Sequence, residues 1–260
     1  MKVREITSLI EAFAPLSLQE SYDNAGLIVG REDDEIHRVL LTVDVTEEVI
    51  EEALEQECDM IVAHHPIIFH ALKRFNSSSY VERCVEQAIR HGIVIYAAHT
   101  NLDSAQDGMS WRVAQMLGLE SVAVMQPTNA EGAGFGVVGE LAEVEKSEDF
   151  MRRVMECFDV KALRHSDIVK SEIRKVAICT GAGGSLIDDA RASGADIYLT
   201  ADLRYNDFMR HENAIILADM GHFESEYCAI QILFDILSKK IPIFAVRKSV
   251  RSRNPVNYMF

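Results

Sequence analysis

Short apolar runs alternate with stretches of helical periodicity along the first third of the chain. A short apolar run predicts a buried strand, whereas apolar residues three or four positions apart predict one face of a helix. The predicted strands are residues 39–43, 60–63 and 93–98, and the predicted helices are 46–56, which Thr46 caps, and 80–91, which Gly92 ends. Strands joined by helices of this length imply right-handed crossovers and a parallel sheet.

The same alternation continues after a change in composition near residue 126. The later pattern predicts strands at 132–139, 176–180, 197–199 and 214–218. It also predicts three helices: one at 148–158, one that follows residues 181–184 and ends at residue 193, and one at 224–238. We therefore predict an α/β fold of two α/β lobes, with largely parallel or mixed sheets flanked by helices. Residues 1–125 together with 220–260 would form the first lobe, and residues 126–219 the second.

Composition and charge narrow the classes of partner. Of the 260 residues, 48% are hydrophobic and 26% are charged, which is typical of a globular chain. The net charge of −15 disfavours binding to nucleic acid or to an anionic membrane, because both present negative charge. The basic segment 247–253 could be a solvated or ligand-facing loop or, as the alternative, a local nucleic-acid site.

Targeting signals and disulfides are not expected in this sequence. No apolar run approaches the ~18 residues that span a bilayer, and the first residues show helical periodicity rather than the apolar stretch of a signal peptide. The five cysteines are odd in number, widely spread and never in a Cys-x-x-Cys pair, which favours reduced thiols. We therefore expect a cytoplasmic chain.

Histidines and acidic residues follow three of the predicted strands, where ligands of α/β sheets commonly bind. These residues are His64 and His65 after one strand, His99 and Asp103 after the next, and His222 and Glu226 after a third. Imidazole and carboxylate groups are ligands of zinc, manganese and iron. Each histidine taken alone could instead be a hydrogen-bonded loop residue. Adjacent histidines on an extended chain point to opposite sides, so one of His64 and His65 could bind a metal while the other is structural.

Four segments together resemble the signatures of the Nif-three-like family, whose members are often called GTP cyclohydrolase I type 2 homologues. The segments are residues 21–27 (SYDNAGL), 64–69 (HHPIIF), 99–103 (HTNLD) and 221–226 (GHFESE). They occur in the family's order and spacing, and the resemblance covers almost the whole chain.

The resemblance implies a fold of two α/β lobes, a toroidal homohexamer and a dinuclear metal centre that faces the inner cavity. The two divalent ions per chain would be zinc, iron or manganese. The metal ligands carried over from the motifs are His64, His65, Asp103, His222 and Glu226. A carboxylate such as Glu226 can bridge both ions, and His99 would orient a ligand or a water, although direct coordination by His99 stays open. The length leaves no room for the inserted third domain of longer members.

The sequence departs from the family at two places. Tyr22 stands where the family usually has tryptophan, which is a conservative change. In the segment 200–206, Ala201 and Asn206 replace the usual glycine and histidine, which leaves the role of that loop open.

The activity implied is metal-dependent hydrolysis of a nucleotide-like small molecule, with opening of the imidazole ring of GTP and release of formate as the candidate reaction. His99 and Glu224 are the candidates for general acid or base, although Glu224 could instead be an ordinary carboxylate at a helix start. Residues 181–184 could bind an anion or form a tight turn. Two further functions stay open: a metal-binding hexameric scaffold or regulatory interaction protein without catalysis, and a phosphoester hydrolase.

Overall fold

The computed structural model describes residues 1–128 and 132–259. By their contacts the residues form two compact units. Unit 1 comprises Met1–Leu102 and Ala229–Arg253, and unit 2 comprises Asp103–Cys228 and Asn254–Phe260. The lobes predicted from the sequence, with bounds at residues 126 and 219, stay a prediction.

Eleven strands and nine α-helices are formed by the described residues. In chain order the strands are β1 (Gly26–Val29), β2 (Arg38–Thr42), β3 (Met60–Ala63), β4 (Val94–Ala97), β5 (Leu119–Pro127), β6 (Gly134–Lys146), β7 (Arg164–His165), β8 (Glu172–Ala182), β9 (Ile197–Ala201), β10 (Ile216–Asp219) and β11 (Ala245–Lys248). The helices are α1 (Val3–Glu11), α2 (Glu47–Glu55), α3 (Tyr80–His91), α4 (Thr100–Ser104), α5 (Met109–Met116), α6 (Ser147–Phe158), α7 (Ile187–Ala192), α8 (His222–Glu226) and α9 (Cys228–Lys240).

Unit 1 is built on a five-stranded sheet with the strand order β1-β4-β3-β2-β11. The pairs β4–β3, β3–β2 and β2–β11 are parallel, and only β1 pairs antiparallel, with β4. Every residue of β3 and β4 is buried, as expected for parallel strands covered on both faces. The expected helix signals are present, because the Thr46 hydroxyl accepts a hydrogen bond from the Val49 amide and Gly92 ends α3 in the left-handed conformation.

Unit 2 is built on a six-stranded mixed sheet with the order β5-β6-β8-β9-β10-β7. The central strands β8, β9 and β10 are parallel, while β5, β6 and β7 add antiparallel pairs at the two sides. Apolar side chains of these strands pack with α5 and α6 in one core, in which Phe150 and Val154 are fully buried. The parallel part brings the carboxyl ends of β8, β9 and β10 to one edge.

The predicted helix 224–238 is wrong in one respect, because it is two helices, α8 and α9. The hydroxyl of Ser225 donates a hydrogen bond of 2.8 Å to the carbonyl of His222, a bond that often bends a helix. None of the helices in the described parts of the chain has the length and apolar character to cross a bilayer.

Candidate functional site

Three imidazoles lie together in unit 1 at the carboxyl ends of β3 and β4. His64 and His65 directly follow β3, and His99 follows β4 by two residues. The ring centroid of His64 is 4.9 Å from that of His65 and 5.4 Å from that of His99, and His65 and His99 are also 5.4 Å apart. They meet because β3 and β4 are parallel neighbours, so both strands end at one edge of the sheet.

All three rings use Nδ1 for a hydrogen bond within unit 1. The acceptors are the Ala98 carbonyl for His64 at 2.8 Å, Asp44 for His65 at 2.7 Å and Asp23 for His99 at 2.7 Å. A carbonyl or a carboxylate oxygen can only accept, so Nδ1 carries the proton in each ring. In the neutral ring this places the lone pair on Nε2, the arrangement found in metal-binding histidines.

Asp23 is the buried anchor of His99. One of its oxygens accepts from His99 and from the Asn24 amide, and the other accepts from the amide and the hydroxyl of Thr100. Burial alone would raise the pKa of Asp23, but the hydrogen bonds from His99 and Thr100 lower it from 3.8 to about 2. Asp23 therefore stays ionised and keeps the proton of His99 on Nδ1.

His222 and Glu226 form the corresponding group in unit 2. They lie one helical turn apart on α8, and Nε2 of His222 is 3.0 Å from Oε2 of the buried Glu226 carboxylate. Nδ1 of His222 is 2.8 Å from a carboxylate oxygen of Asp202, which follows β9. Burial by itself lowers the pKa of His222, but the hydrogen bonds to Asp202 and Glu226 raise it to about 11. Without a bound metal, both ring nitrogens of His222 therefore face carboxylates, and Nε2 must release its proton before it can bind a metal.

Gly181, which has no side chain, leaves the space that the Glu226 carboxylate occupies. A Cβ atom on Gly181 would lie 2.2 Å from Oε1 of Glu226, and the backbone of Gly181 is left-handed at φ +63°. The Gly181 amide donates to the hydroxyl of Ser225 at 3.0 Å, which joins the end of β8 to α8. Both the conformation and the close approach require glycine at this position.

Asp103, near the end of α4, belongs to unit 2, and its charge affects the pKa of the same two thiols as that of Glu226, namely Cys179 and Cys228. Burial raises the pKa of Cys179 to about 12, and the charges of Asp103 and Glu226 add to the rise. Burial also raises the pKa of Cys228 to about 12, again with contributions from both carboxylates. Asp103 and Glu226 therefore both lie close enough to Cys179 and Cys228 for their charges to raise the pKa of each thiol.

Glu224 has contacts that differ from those of His222 and Glu226. Its Oε1 accepts a hydrogen bond of 2.9 Å from the amide group of Asn254. Its carboxylate lies against Gly221, where a Cβ atom would come within 2.2 Å of Oε2. Glu224 is also largely buried, so it is more than a solvated carboxylate at a helix start.

The loop after β8 forms a tight turn. The Gly183 amide donates to the hydroxyl of Thr200 at 3.0 Å and to the carbonyl of Gly181 at 3.0 Å, and the Tyr198 hydroxyl donates to the carbonyl of Gly183. The Gly181 and Gly183 amides are thus used inside unit 2, which fits the turn and not an anion site.

Sequence reasoning missed three residues that orient the candidate ligands. Asp44 holds His65, Asp202 holds His222, and Gly181 makes room for Glu226. Asp44 and Asp202 both follow strands, so the strand-end rule that found the histidines could also have found these acids. Gly181 carried no such signal, because its role depends on a side chain distant in sequence.

The donor atoms of the two units fit divalent metals. Imidazole nitrogens and buried carboxylate oxygens are the ligands of zinc, manganese and iron. Each histidine of the predicted set has its Nδ1 fixed by an acceptor, as the histidine ligands of metal sites commonly do. Unit 1 and unit 2 therefore each carry side chains of the type and orientation that hold a metal.

Comparison with known proteins gives a consistent result. The chain matches the model of the family described as Duf34/NIF3 (NGG1p interacting factor 3) over residues 1–255. It is 33% identical, over 244 residues, to the GTP cyclohydrolase 1 type 2 homolog of Clostridium acetobutylicum, a match that covers 93% of this chain and 90% of the relative.

Solved structures share the fold. A Bacillus cereus protein related to NIF3 superimposes with a TM-score of 0.91 at 23% identity, covering 100% of this chain and 99% of the other. Reduced HcgD from Methanocaldococcus jannaschii has a TM-score of 0.80 at 26% identity, covering 95% of this chain and 97% of the other. These likenesses confirm the α/β fold class, and the family match confirms the resemblance that the four motifs predicted.

Proposed function

This chain belongs to the Duf34/NIF3 family, and from that premise we propose that it is a hydrolase that uses two divalent metal ions to act on a nucleotide-like small molecule. The candidate reaction is opening of the imidazole ring of GTP with release of formate. The name shared by its relatives, GTP cyclohydrolase 1 type 2 homolog, supports this choice of reaction. The main support is the orientation of His64, His65 and His222, because a hydrogen-bond acceptor fixes Nδ1 of each ring.

The proposed metal ligands are His64, His65, Asp103, His222 and Glu226. Zinc, iron or manganese at these residues would supply Lewis acids that make water a stronger nucleophile and neutralise charge on a reacting oxygen. Glu226 is proposed to bridge the two ions, because it is a buried carboxylate with two oxygens that can each bind a cation, and it occupies the space that Gly181 leaves.

The protein side chains would have separate tasks in the reaction. Asp44 and Asp202 fix the rings of His65 and His222 through Nδ1. His99 is proposed to take or give a proton at Nε2, because Asp23 holds the proton of its other nitrogen. Glu224, with Asn254 on one oxygen, is the second proposed acid or base.

Product analysis with defined metals tests the proposal. Purified protein would be stripped with a chelator, loaded separately with zinc, manganese or iron, and incubated with GTP and other nucleotides while formate and phosphate are measured. Formate released from GTP only by metal-loaded protein is the expected result.

The other outcomes point to the alternative functions. Phosphate without formate would replace the ring-opening reaction with phosphoester hydrolysis. Equal inactivity of stripped and loaded protein toward all nucleotides would overturn catalysis and favour a metal-binding hexameric scaffold or regulatory interaction protein.

A further inference from the structure

Two exposed aromatic rings lie beside the imidazole group of unit 1. Phe69 is 40% exposed and Tyr22 is 64% exposed. The ring centroid of Phe69 is 6.0 Å from that of His99 and 6.3 Å from that of Tyr22, with both pairs close to edge-on. The rings of His99, Phe69 and Tyr22 therefore form a cluster of edge-to-face pairs, which we call the aromatic platform, and a flat ligand would stack on one ring while it meets the next edge-on.

The exposure of Phe69 is not explained by packing. The preceding Ile67 is buried in the core of unit 1, and Ile68 packs against that core. Phe69 is thus the point at which an apolar segment leaves the core and presents its side chain to solvent. Exposing a large aromatic ring wastes hydrophobic stabilisation, so such rings commonly mark a binding site.

The segment that carries Tyr22 is fixed by the two residues that directly follow the ring. Asp23 binds His99 and Thr100, and the side-chain amide of Asn24 donates a hydrogen bond of 2.6 Å to the carbonyl of Ile68. These bonds join the segment of Tyr22 to the segment of Phe69. An exposed ring on a fixed backbone is ready to bind a flat ligand at little cost in conformational entropy.

We propose that the aromatic platform of Tyr22, Phe69 and His99 is a subsite that stacks against the planar heteroaromatic ring of the substrate. The inference rests on the proposed hydrolase function and deepens it, because it names the part of the substrate that this face of unit 1 binds. Stacking places the ring beside His99, the residue proposed to transfer a proton. The platform selects for a flat aromatic ring and is indifferent to its hydrogen-bonding pattern, because every base has a π-face.

Binding of probes that each carry one part of a nucleotide tests the platform separately from catalysis. Guanosine carries the base without phosphate, and ribose 5-phosphate carries the sugar and phosphate without a base. Saturation-transfer NMR on zinc-loaded protein should give its strongest signal at the base proton of guanosine and little binding of ribose 5-phosphate.

Substitutions locate the binding of the base. Tyr22→Ala and Phe69→Leu should each raise the Kd for guanosine by roughly tenfold, whereas Tyr22→Phe keeps the ring and should retain binding. Ile89→Ala is the matched control, because Ile89 is an apolar residue of unit 1 that is 62% exposed and lies on α3. Metal content equal to that of the unchanged protein would show that each variant is folded.

The outcomes separate the two proposals. If the protein releases no product but its binding of guanosine weakens when the rings are removed, the platform is supported and the hydrolase proposal is overturned. Turnover with an unchanged KM in Tyr22→Ala and Phe69→Leu would overturn the platform. A changed oligomeric state in these variants, with guanosine binding intact, would assign the rings to contact between copies of the chain and also overturn it.

Discussion

The individual side chains of the candidate site differ in the number of contacts they make and in the number of metal ions they would bind. Glu226 accepts from His222 and occupies the space that Gly181 leaves. As a proposed bridge it would serve both metal ions, whereas each histidine would serve one. Predictions about single substitutions follow from this difference.

Glu226→Gln should lower the occupancy of both metal sites, because it removes the charge of the proposed bridge while nearly keeping its shape. His64→Ala should mainly empty one site. His37→Ala is the control, since His37 is exposed and pairs with Asp59 away from the motifs. Elemental analysis of the purified variants decides the matter, and two metals per chain in Glu226→Gln would refute the bridging role.

Gly181→Ala should lower metal content and stability together. The new methyl group would overlap Oε1 of Glu226, which must move, and the left-handed backbone adds strain of roughly 1–2 kcal/mol. Gly194→Ala is the matched control, because Gly194 is also left-handed at φ +76° but has nothing within 4 Å of the new Cβ atom. Metal content and urea unfolding should separate the two, and equal metal content in both variants would contradict the steric argument.

Asp23→Asn should reduce the free energy of unfolding by about 2 kcal/mol at neutral pH, because folding lowers the pKa of Asp23 from 3.8 to about 2. The folded state holds the proton of Asp23 less tightly than the unfolded state, so this stabilisation exists above about pH 4 and is lost as pH falls toward 2. The gap between wild type and variant should therefore narrow over that interval in urea titrations.

Asp33→Asn serves as the control for the pH series. Asp33 pairs with Arg4, and its side chain is 74% exposed, so the substitution should cost well under 1 kcal/mol. A gap for Asp23→Asn that stays constant down to pH 2 would show that its carboxylate is not the source of the effect.

At the scale of elements, the sequence predicts strands and helices well where one period dominates. The predicted strand at 60–63 and helix at 80–91 agree with β3 and α3 at both ends, because the strand is wholly apolar and the helix has a serine cap and a terminal glycine. Strand β5 was missed, since most of its residues are partly or fully exposed and show no clear alternation.

The candidate site is predictable in part for a related reason. Strand ends and motifs locate the histidines and the acids one by one. Contacts such as those of Asp44 with His65, of Asp202 with His222 and of Gly181 with Glu226 join residues distant in sequence. Such contacts depend on strand order and register, which a single sequence does not specify.

The basic segment near the C-terminus is explained by helix α2. Glu52, buried on α2, accepts hydrogen bonds from the hydroxyl of Ser249 and from the amides of Val250 and Arg251. Arg251 also pairs with Glu55. These contacts neutralise part of the positive charge of residues 247–253 and hold the segment against α2. They therefore favour a loop bound within unit 1 over a nucleic-acid site.

Glu52→Gln should release this segment. The amide NH₂ group cannot accept hydrogen bonds, so at least one amide or hydroxyl of the segment loses its partner, at a cost of about 1–3 kcal/mol. Faster tryptic cleavage after Arg251 is the measurement. Glu55→Gln is the control, because that carboxylate is 61% exposed and its ion pair contributes little. Equal cleavage rates in the two variants would contradict the prediction.

At the scale of the whole molecule, we expect a homohexamer, as the family resemblance implies. Each chain carries a net charge of −15, so chains repel one another and added salt should favour assembly by screening that repulsion. Light scattering at micromolar protein should give six chains per particle. A monomer or dimer at moderate ionic strength would refute the expectation.

The pairing of β11 with β2 has a consequence for how the protein is made. Residues 38–42 emerge early from the ribosome, but their parallel partner, 245–248, is about two hundred residues later. At synthesis rates of roughly 5–20 residues per second, the edge of β2 waits ten seconds or longer for its neighbour. During that interval β2 is an open template for pairing with other nascent chains. Unit 1 begins to be synthesised before unit 2, but it cannot complete its sheet until residues 245–248 are made. We therefore expect that a chaperone is needed for unit 1.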